Sequence, residues 1–140
     1  MNLDPLVRFF ESITPESVSR FPEFYAENAW FKDPFNEVRG VGAIQRIFSH
    51  MFGQVDEPRF VVSEQVADAH GAVLIWTFHY RSRGASKAEE HVIRGVSHLK
   101  FDADGKVVFH RDYWDTGEEL YMKIPLLGAL MRFLRRRLSV

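Results

Sequence analysis

Asn28-Ala29-Trp30-Phe31-Lys32-Asp33-Pro34-Phe35, followed by Arg39-Gly40 and the run Ala43-Ile44-Gln45-Arg46-Ile47-Phe48, is the stretch on which the fold turns. It reads as a short strand that carries one carboxylate into an aromatic setting and stops at Pro34, which has no N–H to give a sheet ladder. Beyond it, Val41 to Gln54 predicts a helix whose apolar stripe is Ile44, Ile47, Phe48, Met51 and Phe52. An aspartate so placed is either a chemical base or a turn residue.

On the N-terminal side, Leu6, Phe9, Phe10 and Ile13 share one face of a short helix over residues 5–13. Thr14-Pro15-Glu16-Ser17 then offers a cap, a proline at the first helical position and an acidic first turn. A second helix follows to about residue 27, with Val18, Phe21, Phe24 and Tyr25 inward. On the C-terminal side the period changes. Residues 59–67, 72–83, 90–101 and 106–115 are rich in β-branched and aromatic side chains and predict a four-stranded meander. Residues 69–71 and 102–105 are tight hairpin connections, with Gly105 where a positive φ is needed, and residues 83–87 are a looser one.

Alternation along the strands decides which side chains meet. With Ser97 inward, Ile93, Gly95 and Leu99 point inward too; the next strand contributes His110, Asp112 and Trp114, and the preceding one Trp76, Phe78 and Tyr80. His79, Phe109, Arg111, Tyr113 and Asp115 then face out. The result is an aromatic box with three polar groups, Asp33, His110 and Asp112. A carboxylate among rings loses solvation and becomes a better base, and a neighbouring imidazole can pass its proton or hold it ionised. The plainer readings are a turn role for Asp33, a structural hydrogen bond for His110, and an ion pair of Asp112 with Arg94 or Arg111. Trp30, Trp76 and Trp114 serve either as ligand walls or as core. Usual zinc spacings are missing, so no metal is expected.

Residues 117–140 read as a helical C-terminal extension in which Leu120, Ile124, Leu127, Met131, Leu134 and Leu138 recur at spacings of four and three. Pro125 divides it into two helices, the second softened by Gly128. Arg132, Arg135, Arg136 and Arg137 would suit an anionic membrane surface. The preferred reading packs Leu127, Met131 and Leu134 on the barrel or on a second subunit.

The bulk numbers fit one domain over residues 1–140, large enough to bury roughly two thirds of its unfolded surface and so to enclose a cavity. A net charge of -1 gives no footprint for nucleic acid. The absence of cysteine removes disulfides, thiolate nucleophiles and Cys-rich zinc sites, and fits a reducing cytoplasm. Met1-Asn2-Leu3-Asp4-Pro5 does not start a secretory signal, and no apolar run approaches a membrane span. Thirteen Phe are more than an ordinary core of this size needs.

Helices first, a strand ending in Asp-Pro, a helix, then a curved meander: this order resembles the nuclear transport factor 2-like superfamily, with its ketosteroid isomerases and SnoaL-like polyketide cyclases. The resemblance is carried by Tyr25-Ala26-Glu27-Asn28-Ala29 running into Lys32-Asp33-Pro34, by Arg39-Gly40-Val41-Gly42-Ala43-Ile44 and by the hairpin from Leu99 to Val108. It implies an α+β fold: a cone-shaped, curled antiparallel sheet, N-terminal helices closing a pocket for a small hydrophobic molecule, and here the C-terminal extension. It also implies dimerisation through the outer sheet face, where Phe109 and Tyr113 would be central. No cofactor is implied.

Under that resemblance Asp33 matches the general base of ketosteroid isomerases. Their phenol, protonated acid and supporting tyrosine fall at about Phe9, Ser97 and Phe48, and losing such donors costs on the order of 3–4 kcal/mol each. Epoxide hydrolases of the limonene type need an Arg two residues before an Asp, whereas Arg94 precedes Gly95 and Val96. SnoaL-like cyclases place an acid/base Asp on the last strand, which Asp112 matches. The expected site is therefore Asp33, Asp112 and His110, with Phe9, Tyr25, Trp30, Phe48, Phe52, Trp76, Phe78, Tyr80, Ser97 and Trp114 as ligand contacts. It serves either an isomerase, cyclase or lyase acting on a carbonyl- or hydroxyl-bearing substrate, or a non-catalytic module that binds a ligand or a protein.

Overall fold

A computed structural model describes residues 1–82, 90–119 and 125–139, with side chains for 1–82, 90–117 and 132–139. The elements are α1 (Asp4–Glu11), a 3-10 turn (Ser17–Arg20), α2 (Phe21–Phe24), β1 (Tyr25–Lys32), β2 (Glu37–Arg39), α3 (Val41–Gln54), β3 (Val55–Asp68), β4 (Gly71–Ser82), β5 (Glu90–Phe101), β6 (Val107–Tyr113), α4 (Thr116–Glu119) and α5 (Pro125–Leu138). The strands form one open, curled sheet in the order β2-β1-β6-β5-β4-β3, with α1, α2 and α3 on its concave side. This is the nuclear transport factor 2-like cone.

The meander forms as the alternation demands. Ala72, Leu74, Trp76 and Phe78 of β4, and Ile93, Gly95, Ser97 and Leu99 of β5, are buried, while the residues that alternate with them are less so. Gly105 turns the β5–β6 hairpin with φ +80°. Bulges at Asp56/Arg59 and Val62/Glu64 interrupt the β3–β4 ladder, and such interruptions bend a strand.

Three features differ from the sequence reading. The second helix is only a 3-10 turn and one α-turn, because the backbone enters β1 at Tyr25; Glu16 and Arg20 take the N-cap positions without a side-chain bond, while Thr14 Oγ1 accepts the Ser17 N–H at 3.1 Å in the preceding turn. After Asp33-Pro34 the chain does not leave the sheet but reverses into β2, with Phe31 opposite Val38 and Lys32 opposite Glu37. Finally, β1 pairs with β6 in parallel, Phe31 beside His110, so the sheet is antiparallel everywhere except there.

An aromatic seam fastens the helices to the sheet. Phe9 stacks on Phe24 at 4.6 Å, Phe21 meets Phe48 at 4.8 Å, and Phe10 faces Tyr25 and Phe60. A fully buried Phe contributes about 1.5–3 kcal/mol, so this seam rather than intrinsic helicity holds the eight-residue α1.

At the C-terminus, α5 starts at Pro125 as expected. Leu134, expected against the barrel or a second subunit, is 42% exposed in this chain, and Phe133 and Leu138 are exposed beside it. The loop at 83–87, Leu120 and Ile124, and the side chains of Leu127 and Met131 lie outside the described residues. No described helix is long and apolar enough to cross a membrane.

Gly95 of β5 pairs with Trp76 of β4, and the indole lies over it so closely that a Cβ would sit 2.3 Å from the ring. Gly95→Ala must push the indole off its seat. It should lower stability by about 1–3 kcal/mol, read from urea unfolding.

Candidate functional site

Under the helices lies a cavity of about 570 Å³, lined mainly by Phe31, Phe48, Phe60, Trp76, Phe78, Ile93 and Trp114, with Asp33 and Asp112 among its polar groups. That volume is in the range that holds a drug-sized ligand. A smaller void of about 20 Å³, room for one water, shares Phe48, Phe60, Trp76 and Asp112 and reaches Ser97 and His110. The two sequence-predicted carboxylates thus open into one cavity.

Asp112 is the meeting point of two hydrogen-bonded chains. From one side the Trp76 indole N–H donates to Ser97 Oγ at 2.8 Å, and the Ser97 hydroxyl donates to Asp112 Oδ1 at 2.5 Å. From the other, Tyr25 Oη lies 2.6 Å from His110 Nδ1, and His110 Nε2 lies 2.6 Å from the same Oδ1. Ionised Asp112 only accepts, so Nε2 carries the hydrogen and Nδ1 accepts from the Tyr25 hydroxyl. Reversing the last bond would leave the Tyr25 proton with no acceptor in a site where the residue is 1% exposed. Every donor therefore points toward Asp112 Oδ1. Asp112 Oδ2 has no partner among the described residues.

The register explains this convergence. Ser97 sits opposite Asp112 across β5–β6, Trp76 opposite Gly95 across β4–β5, and Phe31 beside His110 across β1–β6. His110 is 2% exposed and walled by the Phe31 ring at 4.8 Å and the Phe10 ring at 6.0 Å. Burial first, and the Asp112 charge second, push the Tyr25 hydroxyl well above its ordinary range. It is therefore a neutral donor near neutral pH. Asp112 bonds Ser97 and His110 rather than Arg94 or Arg111; Arg111 covers the Tyr113 ring on the outer face.

Asp33 is a turn residue that also lines the cavity. Its Oδ1 accepts the N–H groups of Phe35 at 2.8 Å and Asn36 at 2.6 Å, and the Asn36 side-chain amide at 3.2 Å. Its own N–H donates to the Asn36 carbonyl, closing the β1–β2 hairpin.

The other expected contacts divide. Phe48, Trp76, Phe78 and Trp114 line the large cavity and Ser97 the small one. Phe9 and Tyr25 are in the core behind it, in the aromatic seam and the His110 chain respectively. Trp30 faces the opposite side of the sheet, stacked on Phe109 at 4.8 Å, because Ala29 and Phe31 take the inward positions of β1. Phe52 packs at the core edge, and Tyr80 stacks on Phe78 at 5.5 Å; neither lines the cavity. Sequence reasoning overlooked Arg46, His50 and Gln54 on α3 and Asn36 in the hairpin, all of which line it. Their spacing of four along the helix was the available signal. Among the described residues, no group of three or more His, Asp or Glu side chains is arranged to hold a metal.

The open, curled six-stranded sheet with helices across it defines the class as nuclear transport factor 2-like. Within it, the SnoaL-like domain matches residues 6–110, and the chain belongs to that family. The steroid Δ-isomerase of Nocardioides simplex is 24% identical over 115 residues, 81% of this chain and 89% of that protein. A candidate SnoaL-like polyketide cyclase from Shewanella putrefaciens superposes with a TM-score of 0.68 at 20% identity, over 88% of this chain and 99% of its own. A protein of ketosteroid isomerase-like fold from Catenulispora acidiphila, solved with trimethylamine, gives 0.69 at 9% identity, over 84% and 88%.

The Tyr25 environment makes a pH prediction. A tyrosine whose folded pKa is raised holds its proton after the unfolded chain has lost it, so its contribution is complete below the unfolded value near 10 and declines above it. Stability measured by urea unfolding should fall from about pH 10 upward. Tyr25→Phe should be less stable near neutrality and show a shallower alkaline decline than the parent.

Proposed function

We propose that the cavity binds an apolar small molecule bearing a carbonyl or hydroxyl group and that Asp112 moves a proton on it, in an isomerase, cyclase or lyase reaction. The observation that carries this reading is the Asp112 carboxylate, which lines the cavity with Oδ1 fixed by Ser97 and His110 and Oδ2 without a partner among the described residues. In the proton transfer, Oδ2 takes a hydrogen from carbon next to a carbonyl, the C–H electron pair moves toward the carbonyl oxygen, and the same carboxyl returns the proton at a second position. His110, Ser97, Tyr25 and Trp76 are positioning residues. They hold the carboxylate in one rotamer, which general acid/base catalysis requires. Asp33 shapes the lip of the cavity and is the second acid/base candidate.

A non-catalytic ligand-binding reading has its own support. Asp33 spends Oδ1 on three turn donors, and the resemblance to ketosteroid isomerases puts Phe9 and Phe48 at about the positions of their hydroxyls.

The test is hydrogen–deuterium exchange next to the carbonyl in a panel of apolar ketones, 5-androstene-3,17-dione included, followed by mass spectrometry. Asp112→Asn keeps an oxygen for Ser97 and His110, so ketone binding should persist while protein-dependent exchange falls by about 10²–10⁴-fold. Asp33→Asn, which keeps the turn acceptor, should change exchange by less than about tenfold. Exchange unaffected by Asp112→Asn would remove the catalytic assignment, and binding without exchange by the parent protein would favour the binding module.

A further inference from the structure

Two kinds of residue on α3 border the cavity. Ile44 and Phe48 enter the core, Ala43, Ile47 and Met51 are half-buried in the cavity wall, and Arg46, His50 and Gln54 run beside them at four-residue spacing on its solvent-exposed rim. Positions four apart stack along one helix face, so these three polar side chains form a rail along the cavity. Arg46 is the one guanidinium or ammonium group among the described lining residues. It makes no hydrogen bond or ion pair with another described residue, and its Nη1 lies back along the helix beside Gly42, where a Cβ would stand at an ordinary contact distance of 3.7 Å.

The carboxylates of the same cavity are differently occupied. Asp33 Oδ1 takes three donors from its own turn, and Asp112 Oδ1 takes Ser97 and His110. Asp33 Oδ2 also accepts from the Asn36 side-chain amide at 3.3 Å, so the charged groups of the cavity lining left without a described partner are the Arg46 guanidinium on the helix and Asp112 Oδ2 on the sheet. Between them the walls are rings and aliphatic side chains.

We infer that the ligand is an amphiphilic carboxylic acid, its apolar body among Phe60, Trp76, Phe78 and Trp114 and its carboxylate on Arg46, with His50 and Gln54 as flanking polar groups. Guanidinium binds carboxylate through two parallel N–H bonds, and a rail on one wall fixes which end of the molecule reaches Asp112. This rests on the reading of the cavity as a small-molecule site. It narrows the substrate from any apolar carbonyl compound to one carrying an anionic end.

The test uses isosteric probes that differ in charge, 1-naphthaleneacetic acid, its amide and 2-(1-naphthyl)ethylamine, with decanoic acid and decanamide as an aliphatic pair. Binding is read by calorimetry and by quenching of tryptophan fluorescence. Each acid should bind on the order of tenfold more tightly than its amide. Arg46→Met should erase that preference and leave amide binding and the melting temperature unchanged, while Arg46→Lys should keep part of it. Equal affinity for acid and amide, a preference that survives Arg46→Met, or tightest binding of the amine would overturn the inference and leave the cavity reading intact. Binding of none of the probes would overturn the cavity reading and this inference with it.

Discussion

The hydrogen bond between the Tyr25 hydroxyl and His110 Nδ1 ties the two halves of this protein together. Tyr25 opens β1, directly after the helical segment; His110 lies on β6, the last strand of the meander. Both residues are buried, so neither can exchange its partner for water, and an unpaired polar group there would cost about 1–3 kcal/mol. The bond also fixes the imidazole tautomer and so determines which nitrogen faces Asp112. Parallel pairing of β1 with β6 is what brings the two residues together.

That pairing marks the boundary of what the sequence could reveal. Local periodicity located α3 at the residues it occupies and placed the meander strands with small errors at their ends. Alternation then put Trp76, Phe78, Ser97, His110 and Asp112 on one face. The partners of β1 are set by long-range geometry that has no periodic signature. Trp30 illustrates the loss: expected among the ligand contacts, its ring lies on the opposite side of the sheet, stacked on Phe109, because the β1 register sets its direction. Tyr25 has the inward direction that the spacing of Val18, Phe21 and Phe24 predicts, but it opens β1 rather than closing a helix, because the α-helical part of that segment ends at Phe24.

The candidate site was legible by residue type and not by role. Asp33, His110 and Asp112 could be picked out as polar residues in an aromatic setting, but whether each was spent or available depends on hydrogen-bond partners. Asp33 was posed as base or turn residue, and the geometry gives it a turn's hydrogen bonds and a cavity's exposure at once. β2 escaped notice for a related reason. Its three residues contain one β-branched side chain, and Asp33-Pro34 reads equally well as an exit from a sheet or as a hairpin turn within it.

The close fit of Trp76 over Gly95 has a further consequence for how such a cavity can diverge. The indole is at once a wall and the first donor of the chain that ends at Asp112, and it occupies the volume that a side chain on the neighbouring strand would fill. Size at position 76 and size at position 95 are therefore one variable. A relative that shortened residue 76 to admit a wider ligand would also lose a hydrogen bond to Ser97, and only a simultaneous enlargement at 95 would refill the space. Ligand shape and carboxylate orientation are coupled through a residue with no side chain, and neither can drift alone.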